Sequence, residues 1–443
     1  MPEAPPVSDD GSGPARRLST TTGAMLVVAS MVGTGVFTTT GYLVRDVGNL
    51  RAILVGWALG GAVALCGALA YGELVAALPK NGGEYQLLSR IYHPAIGFAA
   101  GVVSFVVGFA APVAASAALF GSYLNVALGT DGIPPLASGI ALIVGMSTVH
   151  SLWIGAGSGF QNAFTIAKVV LIALLIVGGL TAGEPARLNV EPTVPFGRSV
   201  LSSAFAVGLI YIAYAYTGWN AAAYVAGELR NPGKTLPRAL LAGTTLVTLL
   251  YVLLNVVFLM GASTEALAAA EERVAVVATT GLFGDRAGRV IAGIIAAGLV
   301  STVGAMIMTG PRISEAIGRD FPRLGFLSIR RAGGGPISAI GLQAALAIVM
   351  LLSASYEQLL EYIGFTLSIM AALTVLGVFF LRVQEPELPR PVRAIGHPIT
   401  SIVFCLVMAW MAIHTLLREP MVSLLGAATI GAGVGLYYAV RER

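Results

Sequence analysis

The stretches Met31-Val32-Gly33-Thr34-Gly35-Val36-Phe37 and Tyr214-Ala215-Tyr216-Thr217-Gly218-Trp219-Asn220 each interrupt a long apolar segment near its centre. Both segments otherwise have the length a helix needs to cross the ~30 Å hydrocarbon core of a bilayer. Entered near Thr21, the Gly33-Thr34-Gly35 step lies about 12 residues deep, or ~18 Å at the helical rise. Entered near Ser203, Thr217 lies about 14 residues deep, or ~21 Å. The first and sixth of a series of alternating spans enter from opposite faces, so both breaks fall near the midplane. Matched interruptions in two halves of a chain point to an inverted-repeat transporter with its site at the repeat interface.

The rest of the chain agrees with a membrane setting. Hydrophobic residues make up 56% and charged residues 11% of the 443, against about 45–50% and about 25% in soluble domains. Uncharged runs recur over 21–46, 51–78, 93–127, 134–153, 161–182, 200–227, 237–261, 287–313, 336–353, 357–382, 399–417 and 421–440. Only helices satisfy their own backbone in such runs, and the alternating ten-residue pattern of a β-barrel is missing. The expectation is an all-α integral membrane protein of about twelve transmembrane helices. Residues 263–284, with Glu265, Glu271 and Glu272, read as a surface helix, and the basic stretch 314–331 as an interfacial one.

Orientation follows from lysine and arginine. With the N-terminus inside, 17 of the 26 basic residues fall on the cytoplasmic side, 8 outside, and Lys168 within a span. Both termini are therefore expected in the cytoplasm of a multi-pass cell-membrane protein. Residues 1–19 read as a disordered cytoplasmic tail without the layout of a signal peptide. The net charge of +4 is spread among loops, which excludes a nucleic-acid partner. Cys66 and Cys405 lie in apolar segments and read as small buried hydrophobes. His93, His150, His397 and His414 lack metal-ligand spacing, and no intramembrane cluster of nucleophile and base suggests an enzyme. Neither metal nor cofactor is expected.

The breaks have a direct chemical use. A helix restarting at Gly35 offers unpaired N–H groups and a positive dipole end to a carboxylate. Gly33 allows close approach, and the Thr34 hydroxyl adds a donor. The carbonyls where the sixth helix stops can accept from an ammonium. A zwitterion with both groups on one carbon fits those poles. The plainer alternative is that Gly33 and Gly35 only permit close helix packing. Lys168 lies about 8 residues, ~12 Å, inside the fifth span if that helix starts near Phe160. An ionisable group at such depth is a functional candidate facing the bundle interior. Glu73 and Glu84 are expected to pair with Lys80 or Arg90, Glu361 to line a vestibule or be solvated, and Pro112 to kink its helix.

Together with Leu78-Pro79-Lys80-Asn81-Gly82-Gly83-Glu84-Tyr85, Glu228-Leu229-Arg230-Asn231-Pro232, Leu236-Pro237-Arg238-Ala239 and Thr309-Gly310-Pro311-Arg312, these stretches resemble the amino acid–polyamine–organocation superfamily, and within it the L-type amino-acid transporter branch. The resemblance spans roughly residues 20–400. It implies a LeuT-type fold, with a first repeat at 20–182, an inverted second repeat at 198–382, and peripheral helices at 399–440. It further implies that Thr34 and Gly35 hold a substrate carboxylate. The carbonyls of Met31, Tyr214, Ala215 and Thr217 would take the amino group, with Tyr214 as aromatic gate beside Gly218. Lys168, preceded by the matching Gln161, Asn162 and Thr165, would stand where other members bind sodium between helices 1, 5 and 8. Whether it keeps its proton through the cycle separates proton coupling from exchange or facilitation. Thr34 replaces the family's usual serine, and the A-R-D-G-x-F-P stretch is shortened to Gly318-Arg319-Asp320-Phe321-Pro322. Thr217 and Tyr214 stand where many relatives have glycine and phenylalanine, which points to a smaller or more polar side-chain pocket. The implied function is sodium-independent carriage of a neutral, small to medium L-amino acid, with a cationic amino acid or polyamine as the alternative cargo.

Overall fold

The computed structural model describes residues 19–78, 83–152, 158–222, 229–330 and 334–441, with the backbone alone at 158–165 and 232–233. Among the described residues the regular structure is helical, with β-bridges at single residues only, one of them joining Arg330 to Pro336. The first span is two helices, α1 (Thr20–Met31) and α2 (Gly35–Val47), bent by 47°. There follow α3 (Leu50–Ala77), the short α4 (Gly83–Ile91), α5 (Pro94–Leu128), α6 (Pro135–Leu152) and α7 (Ser158–Ala182). The second half brings α8 (Ser203–Tyr216), α9 (Pro232–Gly261), α10 (Thr264–Ala270), α11 (Val274–Phe283), α12 (Asp285–Thr309) and α13 (Pro311–Asp320). It closes with α14 (Ile337–Ser353), α15 (Tyr356–Gln384), α16 (Ile399–Arg418) and α17 (Pro420–Val440).

Among the described residues, eight helices are long and apolar enough to cross a membrane, and nine if the bent α1–α2 pair is one span. Three shorter apolar helical stretches, Ile166–Ala182, α8 and α14, accompany them. Several begin where the sequence supplies a cap. The side chains of Ser19, Asn49 and Ser202 accept from amides of the first turn, and Ser355 closes a reciprocal capping box with Gln358. Trp57, Tyr123, Tyr211, Tyr216 and Tyr251 are fully buried, whereas Leu174, Val177, Leu417 and Met421 stand exposed, as lipid-facing positions must. Small residues let backbones meet: a Cβ on Gly243 would lie 2.7 Å from the Val27 side chain, joining α9 to α1.

Several expectations change. The kink anticipated at Pro112 is a π-helical segment, Ser104–Ala110, just before it. A proline lacks the N–H and crowds the carbonyl four residues back, here Gly108, so the helix widens there. Residues 263–284 do not form a surface helix. The 3-10 turn at Glu271–Arg273 splits them into α10 and α11, and Leu267, Val274, Ala275 and Ala278 are buried. Their apolar face packs on α2 and α9, and the Glu272 carbonyl accepts from the Tyr123 hydroxyl at 2.6 Å.

Lys80 lies outside the described residues, and Glu73 does not pair with Arg90. It accepts from Arg382 at 2.8 and 2.7 Å and from the Ala394 amide at 2.6 Å, with Arg390 at 3.6 Å. Arg90 instead meets Glu385 at 2.5 Å. Buried carboxylates demand such saturation. Glu361 is buried rather than solvated and accepts from Tyr211 at 2.8 Å.

Candidate functional site

The break in the first span is a defined turn. Val32 has φ −73° and ψ 76°, and the Gly33 amide donates to the Met31 carbonyl at 2.7 Å, an inverse γ-turn. α2 then restarts without a side-chain cap from Thr34: the Phe37 amide donates to the Thr34 carbonyl at 2.9 Å, and the Gly35 and Val36 amides have no intrahelical acceptor. The second break ends α8 at Tyr216. Thr217 (φ −53°, ψ 147°) followed by Gly218 (φ 96°) matches the centre of a type II turn, whose third residue needs positive φ. The continuation expected to 227 falls on residues 223–228, outside the described residues.

The two breaks lie backbone against backbone. A Cβ on Gly218 would sit 2.7 Å from the Ser30 carbonyl, and one on Gly35 would sit 2.7 Å from Ala215 Cα. Gly33, by contrast, has no neighbour nearer than 3.8 Å. Close packing thus accounts for Gly35 and Gly218 and leaves Gly33 open. Around this seam lies a cavity of about 900 Å³. Met31, Gly33, Thr34, Gly35, Tyr214, Ala215, Thr217, Gly218 and Lys168 all line it. The Thr217 hydroxyl donates to the Tyr214 carbonyl at 2.7 Å, so its proton is already engaged.

The cavity runs out to Arg312 and Ala316, both exposed at the start of α13. Its other end is shut. Tyr42 lies 5.8 Å from Tyr211 and 6.5 Å from Tyr356, ring centre to ring centre, and Tyr356 shares a 2.7 Å hydrogen bond with Thr38. Beyond these rings Arg45 meets Glu357 at 2.5 Å and Asp46 at 2.9 Å.

Lys168 stands ten residues into α7, ~15 Å at the helical rise, two residues deeper than the sequence suggested because the helix starts earlier. Its Nζ donates to Thr302 Oγ1 of α12 at 3.4 Å, and its Cε rests on Gly298. The ammonium is bonded to α12 and not to the Val32 or Gly33 carbonyls.

Sequence reasoning assigned Glu84 to an ion pair and missed its place in the cavity wall. The carboxyl accepts from Tyr71 and, at 3.4 Å, from Asn220. Burial pushes it above the usual carboxylate range, partly offset by the Tyr71 bond. Its burial was the missing signal, since an Asn-Gly-Gly stretch before an acid reads as an exposed loop.

An amide-rich helix start facing helix-end carbonyls, inside a largely apolar cavity open at one end only, can hold an ammonium and a carboxylate at once. Residues 18–438, almost the whole chain, match the amino acid permease family. The chain belongs to that family. Among its relatives, the large neutral amino acids transporter small subunit 2 of Homo sapiens is 29% identical over 430 residues, 93% of this permease and 78% of that protein. The serine/threonine exchanger SteT of Bacillus subtilis (strain 168) is 28% identical over 421 residues, 94% and 95% of the two chains. The b(0,+)-type amino acid transporter 1 of Homo sapiens is 29% identical over 424 residues, covering 91% of the permease and 83% of its length. The permease is thus an amino acid transporter of the amino acid–polyamine–organocation superfamily, and not an enzyme.

Proposed function

We propose that this permease is a sodium-independent carrier of neutral, small to medium L-amino acids, working by alternating access. The observation that carries the reading is that both helix breaks and Lys168 line one cavity of about 900 Å³. Thr34 and the amides of α2 take the substrate carboxylate, and carbonyls at the end of α1 and α8 take its ammonium. The Lys168 charge stands in for a sodium ion beside α12.

Twelve spans in a LeuT-type 5+5 arrangement follow if α1–α2 and the shorter helices each count as one crossing. Support comes from the packing: the first span lies on the sixth, the second on the seventh, the third on the eighth, and the fourth on the ninth. The excess of lysine and arginine on one side supports a topology with both termini, and the open end of the cavity near Arg312, in the cytoplasm. The names of two relatives, a neutral amino acid transporter and a serine/threonine exchanger, favour a neutral substrate.

A cationic substrate is the second reading, favoured by Glu84 as the acid in the cavity wall. Against it, the wall also carries the cations Lys168 and Arg312, and Glu84 already has two donors. A thermal-shift screen of the purified protein against the twenty amino acids separates the two. Stabilisation by alanine, serine or threonine supports the neutral reading, and stabilisation confined to lysine and arginine overturns it. Uptake of the best ligand into proteoliposomes must proceed without sodium. Repeating it with an imposed proton gradient separates proton coupling from exchange or facilitation.

A further inference from the structure

One wall of the cavity is a single helical stripe. Thr302, Ala305, Thr309, Arg312 and Ala316 all line it, at steps of three and four residues that keep them on one face of α12 and its continuation α13. A cation stands towards each end of the stripe. Thr302 accepts from the Lys168 ammonium at 3.4 Å. Ten residues on, or ~15 Å at the helical rise, Arg312 stands exposed at the open mouth.

An arginine on a helix can be neutralised by an acid one turn on, and Glu315 occupies that place. Glu315 is already taken. It is buried, and it accepts from Arg330 at 2.6 Å through both oxygens and from Arg319 at 2.6 Å. The other acids around the mouth are engaged as well. Glu84 accepts from Tyr71 and Asn220, and Asp320 accepts from the hydroxyl of Tyr85, a residue of the cavity wall, at 2.7 Å. Arg312 itself makes no hydrogen bond or ion pair among the described residues. A guanidinium presents a planar fork matched to a carboxylate, and here that fork is free at the entrance to the cavity. The shut face has no such free cation to offer, since Arg45 there is paired with Asp46 and Glu357.

We propose that Arg312 is a capture site for the substrate carboxylate at the cytoplasmic mouth of the cavity, ahead of the poles at the helix breaks. An amino acid entering from that side meets Arg312 first. Its carboxylate then passes along the neutral stretch of the stripe, Thr309 and Ala305, towards the Lys168 charge and the amides of α2. Release follows the same path in reverse. One exposed cation holds a carboxylate weakly, so the site gathers substrate without trapping it. This rests on the reading of the breaks as substrate poles and of the mouth as cytoplasmic.

The test compares the full-length wild type with Arg312→Gln, which loses the charge, and Arg312→Lys, which keeps it. Exchange of radiolabelled L-alanine is followed in right-side-out and inside-out membrane vesicles, with its concentration varied on one face at a time. In Arg312→Gln the cytoplasmic-face KM should rise about two- to fivefold, the worth of one exposed ion pair, and by more than the outer-face KM. Arg312→Lys should restore most of the loss. Raising ionic strength from ~0.01 M to ~0.15 M shortens the screening length from ~30 to ~8 Å and should bring wild type and Arg312→Gln together. An unchanged cytoplasmic-face KM, an equal rise on both faces, or a rise that salt does not narrow overturns the proposal. Ethylamine, which is alanine without its carboxylate, separates this outcome from a failure of the underlying reading. If it competes with alanine in the wild type as well as serine does, no carboxylate is recognised, and the poles fall together with the capture site. If it does not compete and Arg312→Gln matches wild type, the capture site alone falls.

Discussion

Gly33 and Gly35 sit two residues apart in one motif, yet the structure gives them opposite tolerances. In Gly35→Ala the new methyl would lie 2.7 Å from Ala215 Cα and 2.8 Å from its Cβ. Two carbons prefer ~3.5 Å or more, so backbone must retreat by roughly 0.8 Å. Neither atom belongs to a flexible side chain, and overpacking of this kind costs about 1–3 kcal/mol. In Gly33→Ala the nearest atom, the Met31 carbonyl oxygen, is 3.8 Å away, and Gly33 is not among the glycines of positive φ. That variant should keep its stability or gain up to about 1 kcal/mol from a less flexible unfolded chain. Its methyl enters the cavity wall, so substrate affinity should fall. The assay is thermal unfolding in detergent, without and with the best amino acid. Substrate-free Gly35→Ala should unfold well below wild type, and Gly33→Ala should match wild type yet show a reduced ligand shift. A Gly35→Ala protein as stable as wild type would refute the backbone seam, and a normal ligand shift in Gly33→Ala would remove Gly33 from the site.

Arg45→Ala should loosen the shut face: the Arg45–Glu357 pair is a third exposed and worth at most about 1 kcal/mol. A cysteine at Leu209 of the cavity wall, with Cys66 and Cys405 removed, should then be labelled about two- to fivefold faster from outside, and an unchanged rate argues against the pair as a closure. Thr217→Gly should move preference from alanine or serine towards larger side chains in competition assays; a wild type that binds tryptophan more tightly than alanine defeats this. Glu84 has a raised folded-state pKa, so stability should fall as pH rises from its unfolded value through its folded one. Glu84→Gln should flatten that part of the stability–pH curve, and an identical slope in both proteins would remove Glu84 as its source. Arg323→Cys should resist an impermeant thiol reagent outside intact cells while Glu184→Cys reacts, and the reverse pattern would invert the proposed topology.

The two breaks were legible because Gly33 and Gly35 in one uncharged span, and Gly218 in another, are local signals. Lys168 was legible for the same reason, a lone charge in an apolar run. What could not be read was pairing at a distance. Glu73 finds its partners 309 residues away at Arg382, and no local pattern separates that from a pair with Arg90. The stretch 263–284 looked like a surface helix because its three glutamates cluster, while the burial of Val274 and Ala275 depends on α2 and α9 lying above them. Tyr251 was simply one more aromatic in an apolar span; its hydroxyl donates to the Met31 carbonyl, 220 residues earlier. The π-helical segment is a smaller case, since Pro112 announces a disturbance but not its form.

The seam between the two breaks is built from Gly35 against Ala215 and Gly218 against Ser30, with main chain as the contact surface on both sides. Most interfaces drift over evolutionary time by compensating exchanges, a larger side chain here for a smaller one there. A contact made by peptide groups has no such vocabulary, because every substitution adds bulk and none can be answered across the gap. Thr217 and Tyr214, in the same cavity wall, line it with side chains, whose size and polarity substitution can change. The molecule therefore separates what can be retuned from what cannot. If the breaks hold the substrate's poles as proposed, descendants of this chain are free to change the side chain they carry, while the grip on the part common to all amino acids is inherited unaltered.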